Sequence, residues 1–333
     1  MKNVNIFWVI ISSAAIISCG PAKHQARIIL VPDTQYYAEK YPEILDSQVN
    51  WIVRESNQVA FVLQQGDITQ NNSDVEWQRA KQSFSKLDNV VPYVLAAGNH
   101  DMGSGPGKFA DVRNTNLFNQ YFPFSHMSKL SAFGGSFEPG KMENAYYLLQ
   151  TGKVKWLVIT LEFGPRDNVL EWAGKIAAQY PDRSVIINTH CYLYSDSTRV
   201  DAGDDWPPQN YGIGKNAGEG VVNDGEQMWT KLVKNHPNIR WVFSGHILHS
   251  GVGTLVSIND EGYPVYQMLA NYQEGVTGSV KGGNGWLRIL DMDFKKKTIK
   301  ITTYSPYINE YMSNPAHNFI IRNVFFTPGN KTP

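Results

Sequence analysis

Polar side chains follow several apolar, strand-like runs of the sequence, at the point where each run ends. The runs occupy residues 28–31, 61–63, 93–95, 185–187 and 241–243. The polar residues that follow them are Asp33, Gln35, Asp67, Asn99, His100, Asp101, His190, His246 and His249. Because ligands of open α/β sheets bind outside the carboxyl ends of the strands, we expect these side chains to meet at one rim.

The mixture of carboxylate, amide and imidazole groups is typical of a metal centre. Oxygen and imidazole ligands suit divalent or trivalent ions such as Mn, Fe or Zn. The absence of cysteine from these motifs argues against structural zinc and against an iron-sulfur cluster. So many groups exceed the needs of one ion, whereas two ions that share a carboxylate would use them. Such a pair commonly serves displacement at phosphorus.

Each of these residues also has a simpler explanation when it is taken alone. A single histidine beside a buried strand, such as His190 or His246, is more often a structural residue. A single aspartate such as Asp33 or Asp67 more often caps a helix. The coincidence of such residues at five strand ends favours one shared site instead.

Read in chain order, these residues form a set of motifs. The set is Asp33-x-Gln35, Gly66-Asp67, Gly98-Asn99-His100-Asp101, His190 and Gly245-His246-x-x-His249. It resembles the ordered motifs of the calcineurin-like metallophosphoesterase superfamily, usually written D-x-H, G-D, G-N-H-D/E, H and G-H-x-H. The resemblance extends over residues 27–249, and the intact G-N-H-D is its most specific part. It implies an α/β fold, a four-layer α/β/β/α sandwich with a dinuclear metal site at the strand C-terminal ends.

The resemblance also implies a role for each residue. Its metal ligands are Asp33, Gln35, Asp67 and His249 for the first ion, and Asp67, Asn99, His190 and His246 for the second. A hydroxide activated by the two ions would attack the phosphorus of a phosphate mono- or diester. His100 would stabilise the transition state or protonate the leaving oxygen, and Asp101 would orient its imidazole and keep it charged.

Two positions depart from the family pattern. Gln35 stands where the pattern has histidine and offers a neutral amide oxygen, a weaker ligand than imidazole. His249 comes one residue later than the second histidine of G-H-x-H, so that a bulge would be needed to bring it to the metal. If both changes weaken the first metal site, we expect slow turnover or activity with one particular metal only.

Aromatic residues follow His190 and continue into the loop after it. They are Tyr192, Tyr194, Trp206 and Tyr211. We predict that they stack on a sugar or base of the substrate, and the alternative is that they pack onto the sheet edge. Residues 271–273 follow another apolar run and are predicted to face the same rim.

Alternating strands and helices must position these residues. The periodicity predicts strands at 27–31, 59–63 and 90–96, with helices at 42–57 and 73–87 between them, the second capped by Ser73. This β-α-β-α-β order predicts parallel strands. Later segments predict a hairpin at 146–161, helices at 168–180 and 225–235, and strands at 184–188 and 239–243. The simplest organisation is one domain, residues 27–325.

Composition excludes several classes of protein. The chain has 333 residues, of which 42% are hydrophobic, and its two cysteines cannot form a disulfide framework. The 30 Lys and Arg balance the 30 Asp and Glu, so no basic face for nucleic acid is indicated. The expected partners are therefore a small or macromolecular phosphoester and, through a lipid anchor, a membrane.

The N-terminus resembles a bacterial lipoprotein signal. Residues 6–17 are apolar, about half the ~20 residues that a membrane-spanning helix needs. Residues 16–19, Ile-Ile-Ser-Cys, resemble a lipobox, which predicts a signal peptide over 1–18, lipid attachment at Cys19 and a tether over 19–26. The alternative is a simple cleaved signal. The lipobox predicts an exported protein anchored in the periplasm or at the cell surface.

Two functional hypotheses follow. The first is a lipid-anchored, metal-dependent phosphoesterase outside the cytoplasm. The second is a non-catalytic, surface-anchored ligand-binding protein on the same scaffold, suggested by Gln35, His249 and the aromatic loop. The intact Gly98-Asn99-His100-Asp101 motif favours the enzyme, because a pure binding module has no need of it.

Overall fold

A computed structural model of the chain describes residues 24–130, 132–215, 217–218 and 220–326. The predicted signal peptide and Cys19 lie outside these residues. The described strands are β1 (Gln25–Val31), β2 (Val59–Gln64), β3 (Tyr93–Leu95), β4 (Phe133–Ser136), β5 (Ala145–Thr151), β6 (Val154–Thr160), β7 (Ser184–Asn188), β8 (Ile239–Ser244), β9 (Val252–Ile258), β10 (Pro264–Ala270), β11 (Leu287–Asp293), β12 (Thr298–Ser305), β13 (Glu310–Tyr311) and β14 (Asn318–Arg322). The α-helices are α1 (Gln35–Glu39), α2 (Pro42–Arg54), α3 (Asp74–Phe84), α4 (Asn116–Tyr121), α5 (Phe124–Met127), α6 (Asp167–Gln179) and α7 (Gly225–Lys231).

The strands form two seven-stranded sheets. The first has the order β13-β12-β11-β1-β2-β3, and β14 also pairs with β12. Within it β1, β2 and β3 are parallel, which confirms the order predicted from the sequence. The second sheet has the order β4-β5-β6-β7-β8-β10-β9, and its parallel strands are β6, β7, β8 and β10.

The helices begin and end where local chemistry directs them. Pro42 starts α2, and its apolar face carries Ile44, Val49 and Ile52, all fully buried. Ser73 is the N-cap of α3, as predicted, and its backbone N–H donates to the Glu76 carboxylate. A short 3₁₀ helix follows both α3 and α7, at residues 85–87 and 233–235, which accounts for the longer helices predicted at these places.

Alternation along the strands creates the layers. On β6, Trp156 and Val158 join the core shared with the first sheet, whereas Leu157 and Ile159 join the core beneath α6 and α7. Side chains that alternate between two apolar environments require cover on both faces of the sheet. The result is the expected four-layer sandwich, in which helices lie outside two face-to-face sheets.

Large aromatic side chains join the two sheets. Phe61 of β2 meets Trp156 of β6 edge to face, with ring centroids 6.1 Å apart. Trp156 also lies 6.4 Å from the ring of Trp241 on β8. All three side chains are fully buried, and each is expected to contribute about 1.5–3 kcal/mol of burial free energy, before packing effects. The contact between Phe61 and Trp156 thus packs the first sheet against the second.

Two features of the sandwich concern the site and the predicted tether. The strands that carry the motifs belong to both sheets, with β1 to β3 in one and β7 and β8 in the other. Among the described residues the first strand is β1, and its first residue, Gln25, lies inside the predicted tether. Among the described residues, no helix has the length and apolarity needed to cross a bilayer.

Candidate metal centre

The site begins with sharp turns at the ends of the strands. Asp33, Asp67 and His246 have positive φ angles of 38°, 50° and 73°. Non-glycine residues rarely adopt this conformation, which costs on the order of 1–3 kcal/mol and is concentrated at functional sites. Each turn keeps its side chain at the rim of the sheet instead of carrying it away with the chain.

Glycines of the motifs allow the close approach of neighbouring strand ends. A Cβ atom at Gly98 would overlap the Asp67 carboxylate, and one at Gly245 would overlap the Asp33 carboxylate. The glycines therefore have a steric role, because any side chain there would push a site carboxylate out of position.

Four side chains converge at the junction of the two sheets, and we call them the nitrogen half-site. They are Asp67, Asn99, His190 and His246, all buried. Nε2 of His190 lies 3.2 Å from Oδ1 of Asp67, 3.1 Å from Oδ1 of Asn99 and 3.2 Å from Nδ1 of His246. Carboxylate and imidazole atoms of Asp67, His190 and His246 all lie within 4.8 Å of one another.

Backbone carbonyls set the orientation of both imidazoles. Nδ1 of His190 lies 2.8 Å from the carbonyl oxygen of Gln65, and Nε2 of His246 lies 2.8 Å from that of Trp206. A carbonyl can only accept, so each of these nitrogens carries the proton and donates it. The opposite nitrogens, Nε2 of His190 and Nδ1 of His246, are then left to face the cluster, as in many metal-ligating histidines.

Without a cation, the charges of the nitrogen half-site are balanced by a proton. Burial opposes charge on His190, but the Asp67 carboxylate outweighs it and raises the pKa of His190 to about 9. Burial and the nearby His190 lower the pKa of His246 to about 3. Burial alone would raise the pKa of Asp67, but His190 and His100 bring it below its usual range. One positive charge is therefore needed among these groups.

The nitrogen half-site fits a metal ion. Ligands bound at about 2.1 Å in tetrahedral or octahedral geometry lie roughly 3.0–3.4 Å apart, which matches the 3.1 and 3.2 Å separations at Nε2 of His190. Two imidazole nitrogens, a carboxylate and an amide oxygen form a donor set suited to Zn, Fe or Mn.

Asp33, Gln35 and Asp67 form a second group, which we call the oxygen half-site. All three side chains are buried. Nε2 of Gln35 donates to Oδ2 of Asp67 at 3.0 Å, and Oε1 of Gln35 is buried without a hydrogen-bond partner among the described residues. The Asp33 carboxylate accepts the backbone N–H of His246. Burial, reinforced by the Asp67 charge and opposed by His190, raises the pKa of Asp33 well above its usual range.

His249 does not join the oxygen half-site as the motif resemblance implied. Its Nε2 lies 3.0 Å from both the Asp205 carboxylate and the Tyr194 hydroxyl, and 46% of its side chain is exposed. Leu248, one residue earlier, lines the cleft above the metal ligands instead. In the structure His249 is therefore turned toward Asp205 and Tyr194 and away from Asp33 and Gln35, and its predicted role as a metal ligand has no support from these contacts.

His100 lies beside the nitrogen half-site with its ring fixed on both sides. Nδ1 lies 2.7 Å from the carbonyl oxygen of Gln70 and therefore donates to it. Nε2 lies 3.9 Å from Oδ2 of Asp67, at the floor of the cleft. The ring also packs against Phe109, with centroids 4.0 Å apart. This leaves Nε2 as the atom that faces a bound substrate.

Asp101 does not orient His100, contrary to the prediction. Its carboxylate accepts the backbone N–H groups of Ile68, Thr69 and Gly98, at 2.9 to 3.0 Å. Burial and the Asp67 charge raise the pKa of Asp101 to about 6. The residue joins the loops after β2 and β3, and so positions Asp67 and Asn99 indirectly.

The aromatic residues divide into two groups. The prediction for Tyr192 is wrong, because its side chain is fully buried in the core and donates to Gln267. Trp206 and Tyr211 do line the cleft, and Tyr194 stands at its edge with His249 and Asp205. The alternative of packing onto the sheet accounts fully for Tyr192, whereas Tyr194, Trp206 and Tyr211 pack partly against the same core and also reach the cleft or its edge.

The cleft over the site has a volume of about 140 Å³. Its lining residues are Gln35, Tyr36, Asp67, Asn99, His100, Trp206, Tyr211, His246, Leu248, Gln273 and Glu274. Gln273 confirms the expectation that residues after β10 reach the rim. Tyr36 and Glu274 were not predicted to line the site, although they directly follow Gln35 and Gln273 in the sequence. The carbonyls of Gln65, Gln70 and Trp206 could not be found, because any residue type supplies one.

Solved structures with this architecture include a purple acid phosphatase, PPD1 from yellow lupin (Lupinus luteus) seeds. It aligns with a TM-score of 0.54 and 15% identity over 90% of this chain and 54% of that one. GAP50, described as the anchor in the inner membrane complex of Plasmodium, aligns with a TM-score of 0.51 and 11% identity over 92% of this chain and 90% of that one. At these identities the likeness concerns the fold.

Sequence comparison supplies the family. The chain is 31% identical over 299 residues to the uncharacterized protein YvnB of Bacillus subtilis (strain 168). The aligned region covers 87% of this chain and 20% of that relative. The chain thus spans about a fifth of the curated relative that it matches and about half of the lupin phosphatase. The family model described as calcineurin-like phosphoesterase matches residues 26–250, which include every residue of both half-sites. The chain therefore belongs to the calcineurin-like phosphoesterases.

Proposed function

We propose that this protein hydrolyses phosphate esters with the help of bound metal ions. The observation that carries the proposal is the convergence of Asp67, Asn99, His190 and His246 at the floor of an open cleft, beside Nε2 of His100. Family membership supports metal-dependent phosphoester hydrolysis as the reaction class. The number and identity of the metals are part of the proposal, with two ions of Mn, Fe or Zn as the starting expectation.

Metal ions at such a site lower the pKa of a bound water and neutralise charge on the phosphoryl oxygens. The chain's own residues do the rest. Nδ1–H of His100 donates to the Gln70 carbonyl and turns Nε2 toward the cleft, where the doubly protonated ring would give its Nε2 proton to the leaving oxygen and become neutral. Phe109 packs on the same ring and fixes its plane. Trp206 and Tyr211 supply apolar walls for the organic part of the ester.

The cleft favours a diester over a monoester. Its described lining contains no Lys or Arg, and Glu274 adds a carboxylate to the entrance. A monoester carries about one more negative charge than a diester at neutral pH, and the described lining has no Lys or Arg to receive that additional charge. The aromatic walls offer space for the second organic group of a diester.

An assay with two aryl phosphates tests the reaction and the preference together. The purified full-length chain, loaded with Mn²⁺ or Zn²⁺, should hydrolyse bis(p-nitrophenyl) phosphate with a higher kcat/KM than p-nitrophenyl phosphate. Glu274→Gln should reduce the difference in kcat/KM between the diester and the monoester, because it removes a negative charge from the cleft. Turnover of neither ester with Mn, Fe, Zn, Co or Ni would contradict the proposed reaction, whereas faster turnover of the monoester would contradict only the preference.

We also propose that the protein is exported and anchored by lipid at Cys19. The support is the lipobox-like sequence at 16–19 behind an apolar segment. Cys19→Ser should abolish incorporation of labelled fatty acid and release the protein from the membrane fraction. Cys191, buried in the fold, provides the control, since Cys191→Ser should leave both unchanged. Retention of the fatty-acid label in Cys19→Ser would refute the anchor.

A non-catalytic binding protein on the same scaffold is the second candidate. The departures at Gln35 and His249 favour it, and GAP50, which shares the fold, is described as an anchor. The intact nitrogen half-site and the fixed ring of His100 favour the enzyme. Inactivity of the metal-loaded wild type, combined with ligand binding that His100→Ala leaves unchanged, would decide for the binding protein.

A further inference from the structure

We infer that the two half-sites differ in metal preference: the nitrogen half-site binds one transition metal ion tightly, and the oxygen half-site binds at most an exchangeable hard cation such as Mg²⁺ or Mn²⁺. The inference rests on the proposed metal-dependent function and goes beyond it by making the two positions chemically unequal. It assigns the difference to three residues, Gln35, Leu248 and His249.

The nitrogen half-site is complete before any ion is bound. Nε2 of His190 is already within 3.2 Å of a carboxylate oxygen, an amide oxygen and a second imidazole nitrogen. Both imidazoles are held from behind by backbone carbonyls at 2.8 Å. Little side-chain freedom remains to be lost when an ion binds, and such preorganisation favours tight binding.

The oxygen half-site lacks nitrogen donors. Its side chains offer two carboxylates, from Asp33 and the shared Asp67, and the amide of Gln35. The Gln35 amide nitrogen donates to Oδ2 of Asp67, which occupies one of the oxygens that an ion would use. Its Oε1 is buried without a hydrogen-bond partner among the described residues, and is thus available as an oxygen ligand. All-oxygen sets suit Mg²⁺, Ca²⁺ and Mn²⁺ in preference to Zn²⁺.

An apolar side chain, that of Leu248, occupies the sequence position at which the family pattern has a histidine. Leu248 lines the cleft together with Gln35 and Asp67. The histidine that follows it has a φ of 56° and is paired with Asp205 and Tyr194 outside the cleft. Binding of His249 to an ion would break that pair and reverse the turn. The one-residue displacement therefore removes the ligand altogether.

Metal stoichiometry of the full-length chain tests the inference without reference to activity. The chelated protein is incubated with excess Zn²⁺, desalted and measured by elemental analysis. We expect one zinc ion per chain, and a second ion only while Mg²⁺ or Mn²⁺ is present in the buffer. Changes to groups behind a metal ligand already cost about 10–100-fold in affinity, so an absent ligand should weaken the second site at least about 100-fold. Two retained zinc ions would overturn the inference.

Two pairs of variants locate the difference. His249→Ala should retain one zinc ion, whereas His246→Ala should lose it. Leu248→His should raise the retained zinc from one ion to two, and the volume-matched control Leu248→Met should stay at one. Circular dichroism confirms folding of each variant, and a misfolded Leu248→His leaves the His249 pair as the test. Loss of an ion in His249→Ala would refute the inference. Inactivity of a protein with one zinc ion would count against the proposed function alone.

Discussion

The two half-sites share Asp67 but are built differently. Asp67, Asn99, His190 and His246 lie within four residues of the ends of β2, β3, β7 and β8, and backbone carbonyls hold both imidazoles. Gln35 begins a short helix, and His249 lies five residues beyond the end of β8 on an exposed turn. The residues of the nitrogen half-site, which converge, therefore follow buried strands more closely than His249, which does not join them.

The largest predicted effect comes from the residue that both half-sites use. Asp67→Asn removes the central negative charge, so both ions should be weakened. We expect kcat for an aryl phosphate diester to fall at least about 10³-fold, equivalent to about 4 kcal/mol of transition-state stabilisation. Steady-state kinetics with excess Mn²⁺ measure it. A loss below tenfold would mean that Asp67 is not a shared ligand.

His100 tests the chemistry apart from either half-site. His100→Asn keeps a polar side chain but removes the Nε2 proton donor, so kcat should fall roughly 10²–10³-fold while the tightly bound metal is retained. The loss should be smaller for a substrate with a more acidic leaving group, since such a group needs less protonation. Equal losses for good and poor leaving groups would assign His100 another role.

Asp33 belongs to the oxygen half-site alone, and its substitution should have an intermediate effect on activity. Asp33→Asn should lower activity about 10- to 100-fold and leave one zinc ion per chain. The corresponding change in the nitrogen half-site, Asn99→Ala, should lower zinc retention. The comparison of the two half-sites would fail if Asp33→Asn lost the zinc ion and Asn99→Ala kept it.

The smallest effect concerns pH. The metal-free His190 has a pKa raised to about 9 by Asp67, so it is protonated below that pH and must lose the proton to bind an ion. Transition-metal binding between pH 6 and 8 should therefore release at least one proton per chain, and affinity should rise about tenfold per pH unit. Calorimetry in buffers of different ionisation enthalpy counts the protons. Binding without proton release would contradict this charge state.

Much of the fold and of the nitrogen half-site was predictable from the sequence. Continuous apolar runs are local signals of buried strands, and the residues that follow them lie where parallel strands end. The division of these strands between two sheets was not predictable from periodicity, because sheet membership depends on contacts distant in sequence. Gly98 and Gly245 were part of the motifs, but only the structure shows that their lack of a side chain leaves room for the carboxylates of Asp67 and Asp33.

Three residue roles were beyond sequence reasoning. Tyr192 and Tyr194 are two residues apart on an irregular loop, yet one enters the core and the other the cleft edge. Asp101 binds loop backbone groups, whose position no side-chain pattern encodes. The position of His249 depends on the exact path of a turn, in which one extra residue directs the side chain toward Asp205.

Anomalous diffraction from crystals of the full chain grown with Zn²⁺ and Mn²⁺ tests the central claim most directly. Data collected on either side of the zinc edge and at the manganese edge separate the two elements at each position. We expect zinc bound by Asp67, Asn99, His190 and His246, with any manganese beside Asp33 and Gln35. Zinc of equal occupancy at both positions, with His249 as a ligand, would contradict it.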